Sequence, residues 1–314
     1  MTEGARPLRI AELPPIGPAV VTLGVFDGVH VGHRAILEAT RDLAAEQGVG
    51  GQALVFDPPP DEVIRPGTIV PRLAPLRVNL ARIEGTSAGG ALPMRFDDAL
   101  RELSAEQFLD ALSPAAEVRG LVMSSRSAFG RDRGGTPAHM RTLGATRGFA
   151  VRVVEPVVVG GAIASSTRIR EAIAEGDVQE AQALGVVPYL EGVVVTGDRR
   201  GRELGFPTAN LRFDYAPAMP ALGIYAGRVT EAGEGVSAGH PALISIGTRP
   251  TFHAGSAVLA EVHLLDFDGD LYGELLGVEL VSRLRDEQRF ADAEALVEQM
   301  KRDAAAGRAV LGVS

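Results

Sequence analysis

The sequence predicts a chain of two parts, an α/β domain followed by a β domain. In the first half, short apolar segments of strand length alternate with segments that have the 3.6-residue apolar period of a helix. In the second half, from Gly192 onward, short β-rich segments follow one another between glycine-rich turns. A chain of 314 residues is also long enough for two domains that each bury a core.

Four apolar segments of the first half are expected to form a parallel sheet, because helices separate parallel strands in α/β domains. These segments are residues 19–23, 52–56, 120–123 and 150–154. Residues 34–47 form a predicted helix that ends at Gly48. Residues 103–112 form another, and Ser104 with Gln107 matches a capping box at its start. Ligands of such sheets bind beyond the carboxyl ends of the strands.

The second half predicts an antiparallel barrel or sandwich with a final helix. Its predicted strands are residues 193–195, 223–229, 242–246, 257–266 and 276–284. The final helix has one apolar stripe that is expected to cover the open side of the barrel. The residues of this stripe are Phe290, Ala293, Leu296, Val297 and Met300. In the first half, residues 85–91 are expected to form a flexible loop because they are rich in glycine and small residues.

Composition excludes several classes of protein. The formal charge of −9 argues against a general nucleic-acid binder, which usually has a basic face. The chain has no cysteine, so disulfides, thiolate metal sites and cysteine nucleophiles are excluded. No apolar run reaches the length of a membrane span, and the first ten residues lack the apolar core of a signal peptide. We therefore expect a cytoplasmic protein without membrane or nucleic-acid partners; its oligomeric state stays open.

The most informative segment is Gly-Val-Phe-Asp-Gly-Val-His-Val-Gly-His, residues 24–33, which lies between a predicted strand and a predicted helix. Helix N-termini offer unsatisfied N–H groups and the positive end of the helix dipole, so they favour phosphate. His30 and His33 are three residues apart and can face the same phosphate edge. Fixed donors of this kind stabilise the charge that develops in nucleotidyl transfer. The alternative is a glycine-rich loop with two surface histidines, since short motifs also match by chance.

A second segment, Ser-Ser-Thr-Arg-Ile-Arg at residues 165–170, supports the nucleotide interpretation. Serine and threonine at a helix start are ordinary N-caps. Arginine in a first helical turn opposes the helix dipole, however, and a bound anion would explain it. The two segments together resemble the HxGH nucleotidylyltransferase superfamily. The resemblance implies an ATP site around the α-phosphorus, with His30, His33 and Arg170 as catalytic residues. It also implies nucleotide-binding residues at Gly24, Phe26, Asp27, Ser165, Ser166 and Thr167.

The second half contains a longer signal at residues 197–210, which are Gly-Asp-Arg-Arg-Gly-Arg-Glu-Leu-Gly-Phe-Pro-Thr-Ala-Asn. Its glycines allow backbone N–H groups to approach phosphates closely. Thr208 and Asn210 alternate along an extended strand start, and their oxygen atoms suit Mg²⁺ that carries nucleotide phosphates. Glu261, on a predicted strand, could accept the proton of an attacking alcohol inside a barrel mouth. The alternatives are a turn that bonds only to itself and a solvent-facing carboxylate.

These motifs, with residues 223–225, 247–251 and 261–273, resemble a bacterial riboflavin kinase module. The order of the halves resembles the bifunctional riboflavin kinase/FAD synthetase family. That resemblance implies a Rossmann-like adenylyltransferase domain at residues 1–184 and a six-stranded flavokinase β-barrel with a C-terminal helix at residues 185–314. It implies two ATP-dependent reactions, from riboflavin to FMN and from FMN to FAD. Its kinase residues here are Glu261 as base, Thr208 and Asn210 for Mg²⁺, and Gly201, Gly205, Pro207, Thr208 and Asn210 for the nucleotide.

The first half departs from this family where the flavin should bind. Pro59 stands where the family has a polar residue between two prolines, Arg126 replaces an acidic residue and Ser127 replaces an aromatic one. One alternative is therefore a riboflavin kinase whose first domain is inactive or uses another, more anionic acceptor. A flavin-binding regulatory protein without catalysis and a cytidylyltransferase acting on another alcohol are further alternatives.

Overall fold

The computed structural model describes residues 6–86, 89–196, 205–233, 235–250 and 256–313. The chain divides into two compact units, Met1–Val70 with Pro75–Ser166 and Pro71–Ala74 with Thr167–Ser314. Compactness thus places the division between Ser166 and Thr167. The functional boundary between residues 184 and 185 stays a prediction, because a compact unit and a functional domain are defined by different properties.

The first unit contains a five-stranded parallel sheet, which confirms the predicted α/β class. The strands have the spatial order β3-β2-β1-β4-β5. They are β1 (Gly17–Gly24), β2 (Gly50–Asp57), β3 (Gly90–Arg95), β4 (Ala116–Ser124) and β5 (Ala150–Val154). A two-stranded hairpin follows, with β6 (Val158–Val159) and β7 (Ala162–Ile163). The strand order reverses direction between β1 and β4, and the ends of those strands form the crevice where ligands bind in such sheets.

Helices connect these strands, and their ends follow the capping residues in the sequence. They are α1 (Val31–Gln47), α2 (Pro60–Ile64), α3 (Leu76–Glu84), α4 (Asp98–Arg101), α5 (Ala105–Leu112) and α6 (Pro137–Arg147). Gly48 ends α1 in the left-handed conformation, with φ of 65°. Ser104 and Gln107 form the predicted capping box of α5. Two more helices follow, α7 (Ser166–Glu175) and α8 (Val178–Ala183).

Both faces of the parallel sheet are covered, which explains why β1 is apolar without alternation. Val21 packs in a core cluster with Leu54, Leu121 and Met140 on one face. The neighbouring Val20 belongs to a different cluster, which includes Leu43 and Val122. The central strand is therefore buried on both sides and its carboxyl end is fixed in position.

The predicted loop at residues 85–91 is wrong at its end, because Gly90 and Ala91 belong to β3. Gly89 has φ of +114°, and a Cβ atom there would lie 1.9 Å from the carbonyl oxygen of Gly51. The glycines of this segment therefore permit close approach to β2 rather than flexibility. Residues 87 and 88 lie outside the described part of the chain.

The second unit is built on a closed six-stranded barrel, as the family resemblance implied. The strands have the order β10-β11-β12-β9-β8-β13 around the barrel. They are β8 (Tyr189–Val195), β9 (Ala209–Arg212), β10 (Gly223–Glu231), β11 (Pro241–Pro250), β12 (Ser256–Leu264) and β13 (Leu275–Arg285). The interior is packed with buried side chains such as Leu190, Tyr225, Ile244, Val262 and Leu280. The interior of the barrel is therefore a packed apolar core.

The final helix, α9 (Ala293–Leu311), packs on the outer side of the barrel against β10, β11 and β13. Phe290 of the predicted stripe precedes the helix, so that part of the prediction is wrong. The reason is Asp292, whose carboxylate accepts a hydrogen bond from the N–H of Ala295 and caps the helix. In the described residues, no helix is both long and apolar enough to cross a membrane.

A buried ion pair joins α9 to the end of β13. Arg285 donates to both carboxylate oxygens of Asp303, with Nε–Oδ1 at 2.9 Å and Nη2–Oδ2 at 2.7 Å. The side chains are only 15% and 7% exposed. Gln299 donates a further hydrogen bond to the same carboxylate. Bidentate geometry with an additional donor is the arrangement in which a buried pair offsets its desolvation.

We predict that Asp303→Ala destabilises the second unit by about 3 kcal/mol, because it leaves the Arg285 guanidinium buried without its partner. Urea unfolding of the full chain, followed at probes in each unit, measures this. Glu298→Ala is the matched control on the same helix, since Glu298 pairs with Lys301 at the surface; its effect should stay within about 0.5 kcal/mol. Equal effects of the two substitutions would contradict the assignment.

Candidate active sites

The turn between β1 and α1 has an unusual backbone. Phe26 and Val29 have positive φ angles of 51° and 48°, and Gly28 between them has φ of 80°. A left-handed conformation costs a residue with a Cβ atom about 1–2 kcal/mol, and a β-branched residue such as Val29 adopts it rarely. Strain of this kind persists only where surrounding contacts enforce it, and it is concentrated at functional sites.

Hydrogen bonds from three directions hold this turn. The Ser166 hydroxyl donates to the carbonyl oxygen of Asp27 at 3.0 Å, and Arg34 Nε donates to that of Val29 at 3.1 Å. The N–H of Gly28 donates to Asn79 Oδ1 at 3.0 Å. The first of these bonds joins the two sequence motifs directly. Asn79 was missed by the sequence analysis, because it lies 51 residues away and has no motif around it.

His30 is the N-cap of α1, and this role sets its tautomer. Its Nδ1 accepts hydrogen bonds from the N–H groups of Gly32 and His33, at 3.1 and 3.3 Å. An accepting Nδ1 carries no proton, so the ring proton of the neutral imidazole lies on Nε2. The ring stacks on His33 with centroids 3.7 Å apart. The structure thus brings the two predicted histidines together and fixes the Nε2–H donor of His30.

Gly32 is required because the His30 ring lies against it. A Cβ atom at position 32 would be 3.0 Å from Cε1 and 3.2 Å from Nδ1 of His30. The glycine between the histidines therefore makes room for the ring to fold over the first turn of the helix. This is the physical reason for the His-x-Gly-His spacing.

The remaining predicted residues of the first site occupy different positions. Phe26 and Asp27 are buried, and each is only 2% exposed. They can therefore contribute to nucleotide binding only by supporting the turn. Gly24 is the last residue of β1 and lies against the Phe26 ring. Ser165 directly precedes α7, of which Ser166 is the first residue. Thr167 and Arg170 belong to the second compact unit, where Arg170 Nε donates to the carbonyl oxygen of Pro71 at 2.6 Å.

The three departures from the family lie at the ends of strands that flank β1. Pro59 follows β2 and caps α2. Arg126 and Ser127 follow β4, and the Ser127 hydroxyl donates to the carbonyl oxygen of Ser124 at 2.9 Å. Arg126 and Ser127 are both exposed. The substitutions therefore border the crevice at β1 without altering the histidine turn.

A hydrogen-bonded pair joins the starts of α5 and α6. His139 Nε2 on α6 lies 2.6 Å from Glu106 Oε1 on α5, and the Ser104 hydroxyl donates to Glu106 Oε2 at 2.8 Å. The pKa of Glu106 lies below its usual value because its carboxylate accepts hydrogen bonds. The largest contribution comes from its own backbone N–H, and smaller ones come from Ser104 and His139.

The second site is set by the pairing of β9 with β12. Glu261 and Asn210 are directly opposite each other in this antiparallel pair, so their side chains share one face. Ser245 lies opposite Glu261 on the other side, on β11. Pro207 leads into β9, and its carbonyl oxygen accepts a hydrogen bond from His263 Nδ1 at 2.8 Å. The predicted proximity of the carboxylate to the Thr-x-Asn segment is thus present.

Glu261 faces outward from the barrel, which corrects its expected place inside a barrel mouth. Its neighbours Ala260 and Val262 are buried in the barrel core at 1% and 0% exposure. Since side chains alternate along a strand, Glu261 must point to the outer face. Alternation in the sequence separates the two faces but does not say which one binds a ligand.

A cavity of about 930 Å³ lies on this outer face, between the barrel and α9. Thr208, Asn210 and Glu261 line it on the barrel side, and Leu296, Met300 and Asp303 line it on the helix side. The volume is near the upper end of the range of about 300–1,000 Å³ for small-molecule sites. Pro207 also lines the cavity, and Gly205, with φ of +83°, precedes the lining segment. Gly201 lies outside the described residues.

Models of two protein families match the two halves of the chain. The Riboflavin kinase family model matches residues 184–311, and the FAD synthetase family model matches residues 15–168. A bifunctional riboflavin kinase/FMN adenylyltransferase of Pseudomonas fluorescens is 38% identical over 94% of both chains. This chain belongs to that family. The Escherichia coli K12 member is 34% identical, with 98% of this chain and 96% of its own length covered.

A solved structure has the same fold as this family member. The Macrolide-efflux Protein from Streptococcus pneumoniae is 28% identical, with a TM-score of 0.86 over 96% of this chain and 98% of its own. The matched residues extend over both units, so both proteins contain an α/β unit and a barrel in the same order along the chain.

We predict that the carboxylate of Glu106 titrates below its ordinary pKa of about 4.3 in this family member. Its hydrogen bonds therefore contribute to stability above that pH, and the contribution is lost as pH falls through the lowered folded value. Carbon-detected NMR titration of the full chain measures the midpoint. His139→Leu should raise the titration midpoint of Glu106. The midpoint of Glu298 should stay unchanged, because Lys301 and not His139 lowers the pKa of Glu298. An unmoved Glu106 midpoint would contradict this role of His139.

Proposed function

We propose that the chain makes FAD from riboflavin in two steps. The second unit phosphorylates riboflavin to FMN with ATP, and the first unit adenylylates FMN with a second ATP. The observation that carries the proposal is the opposition of Glu261 and Asn210 on the wall of the 930 Å³ cavity. A carboxylate and a nucleotide-binding segment on one wall are what phosphoryl transfer to an alcohol requires.

In the kinase step, the Glu261 carboxylate accepts the proton of the terminal hydroxyl of riboflavin. The hydroxyl oxygen then forms a bond to the γ-phosphorus of ATP, and the bond to the β-phosphate oxygen breaks to release ADP. Arg285 and Asp303 hold the opposite wall of the cavity in place through their ion pair. A wall held in this way orients the substrate, and orientation is most of what the protein supplies in phosphoryl transfer.

The donor set fits a magnesium ion that arrives with the nucleotide. Thr208 and Asn210 offer oxygen ligands, and Mg²⁺ needs few protein ligands when phosphates and water supply the rest. In the described residues, no group of three or more His, Asp or Glu side chains could hold a metal ion independently. When bound, the ion neutralises charge on the β- and γ-phosphates.

In the adenylyl step, an oxygen of the FMN phosphate attacks the α-phosphorus of ATP, and pyrophosphate leaves. His30 donates from Nε2 toward the charge that develops on the phosphate oxygens, and His33 lies beside it. Ser165 and Ser166 of the same unit complete the proposed ATP site there, and the Ser166 hydroxyl also holds the turn. Thr167 and Arg170 stay residues that the family resemblance implies. No covalent intermediate is needed, which agrees with the absence of cysteine.

An acceptor other than FMN is the second candidate for the first unit. The exposed Arg126 and the Pro59 cap border the crevice where the acceptor would lie. Incubation of the purified chain with riboflavin, ATP and Mg²⁺, followed by chromatography, separates the two cases. FMN that accumulates without FAD would contradict adenylylation of FMN and leave the kinase step intact. A chain that binds riboflavin without turnover would instead be a regulatory protein.

We predict that Glu261→Gln lowers kcat for FMN formation by at least about 100-fold, because the amide cannot accept the proton. Nucleotide binding to the second unit should change by less than about threefold, measured by calorimetry. Glu231→Gln is the control, because it removes the same negative charge at the end of β10, away from the residues that line the cavity. Undiminished turnover of Glu261→Gln would refute its role as base.

We also predict that Gly32→Ala lowers FAD formation by about 10- to 100-fold, since the new methyl group displaces the His30 ring from its position. FMN formation by the same sample should be unchanged. Gly50→Ala on β2 is the control, because a Cβ atom there meets no atom within 4 Å. A Gly32→Ala variant with full FAD formation would show that the ring position is not critical.

A further inference from the structure

We infer that Asn79 on α3 is a positioning residue for adenylyl transfer, which acts through the turn that leads to His30. The inference rests on the proposed adenylylation and adds a residue that neither sequence motif contains. Asn79 is 4% exposed and lies in α3.

Asn79 uses both ends of its amide on adjacent residues of the turn. Its Oδ1 accepts the hydrogen bond from the N–H of Gly28 at 3.0 Å, and its Nδ2 donates to Asp27 Oδ1 at 3.3 Å. Asp27 is 2% exposed, and Gly28 is buried. A buried N–H group and a buried carboxylate that lose a partner each carry a desolvation cost, so both bonds favour this one conformation of the turn.

The turn needs such support because its own backbone is strained. Phe26 and Val29, on either side of the bonded pair, have the positive φ angles described above. His30 follows Val29 immediately, so a change in the φ angle of Val29 rotates the N-cap and with it the imidazole. Asn79 therefore determines where the Nε2–H donor of His30 points, although it is separated from His30 by 49 positions in the sequence.

An amide is the side chain that suits this place. Leucine has a similar size but neither a donor nor an acceptor, and aspartate has no proton to donate to a second carboxylate when ionised. A hydroxyl is too short to reach two groups on adjacent residues at these distances. The residue type at position 79 thus follows from the two groups that it must satisfy together.

Steady-state kinetics of the full chain test the inference. Asn79→Leu should lower kcat for FAD formation by at least about tenfold, with KM for ATP within about threefold. Thr40→Val is the matched control, because the fully buried Thr40 hydroxyl donates to the carbonyl oxygen of Ile36 within α1. This control should retain kcat for FAD formation within about twofold. FMN formation by the second unit provides the concentration of folded enzyme in each sample.

NMR of the same proteins supplies a readout that loss of folding would not imitate. In Asn79→Leu, the amide of Gly28 should exchange faster and the His30 ring nitrogens should lose the signature of an unprotonated Nδ1, while amides of β1 stay protected. Unchanged signals, or an equal loss of FAD formation in Thr40→Val, would overturn the inference. If the wild-type chain forms no FAD, the proposed adenylylation fails, and the NMR signals still decide whether Asn79 positions His30.

Discussion

The kinase site depends on the register of one short strand. Strand β9 contains four residues and closes the barrel between β8 and β12. Its alternate residues Ala209 and Leu211 are buried in the barrel core, which leaves Asn210 on the same outer face as Glu261. A slip by one residue would exchange these faces, place Asn210 in the core and expose Leu211. Burial of two apolar side chains therefore fixes the position of Asn210, the predicted magnesium ligand, relative to Glu261, the proposed base.

The adenylyl site is organised by the opposite means, an irregular backbone. The turn after β1 has two left-handed residues that no regular pairing can hold. Its conformation depends on side chains from distant parts of the chain, Ser166, Arg34 and Asn79. The Nε2–H donor of His30 is therefore held in position by contacts within the protein itself. Such preorganisation lowers the cost of reorientation in the transition state, which is the largest contribution that fixed donors make to catalysis.

Sequence patterns predicted the regular part of the structure well, because burial and capping are local properties. The parallel sheet and the capping box at Ser104 follow from periodicity and residue type, and so does the choice of a barrel or sandwich for the second half. The family resemblance was needed to choose the six-stranded barrel. The prediction failed where a contact between distant segments decides the outcome. Gly90 was predicted to be loop because the segment is rich in glycine, whereas these glycines permit close approach to β2. Glu261 was placed inside the barrel because alternation does not distinguish the inner face from the outer. Asn79 had no local signal at all.

The difference between the two sites also explains where this chain can depart from its relatives. Pro59, Arg126 and Ser127 lie at the ends of β2 and β4, and none of them contributes a hydrogen bond to the histidine turn in the described residues. Changes there alter the shape and charge around an acceptor and leave the fixed donors for phosphate in place. The strained turn has no such freedom, because each of its supports satisfies a specific backbone group. Variation in acceptor contacts is therefore compatible with a constant ATP site within one fold.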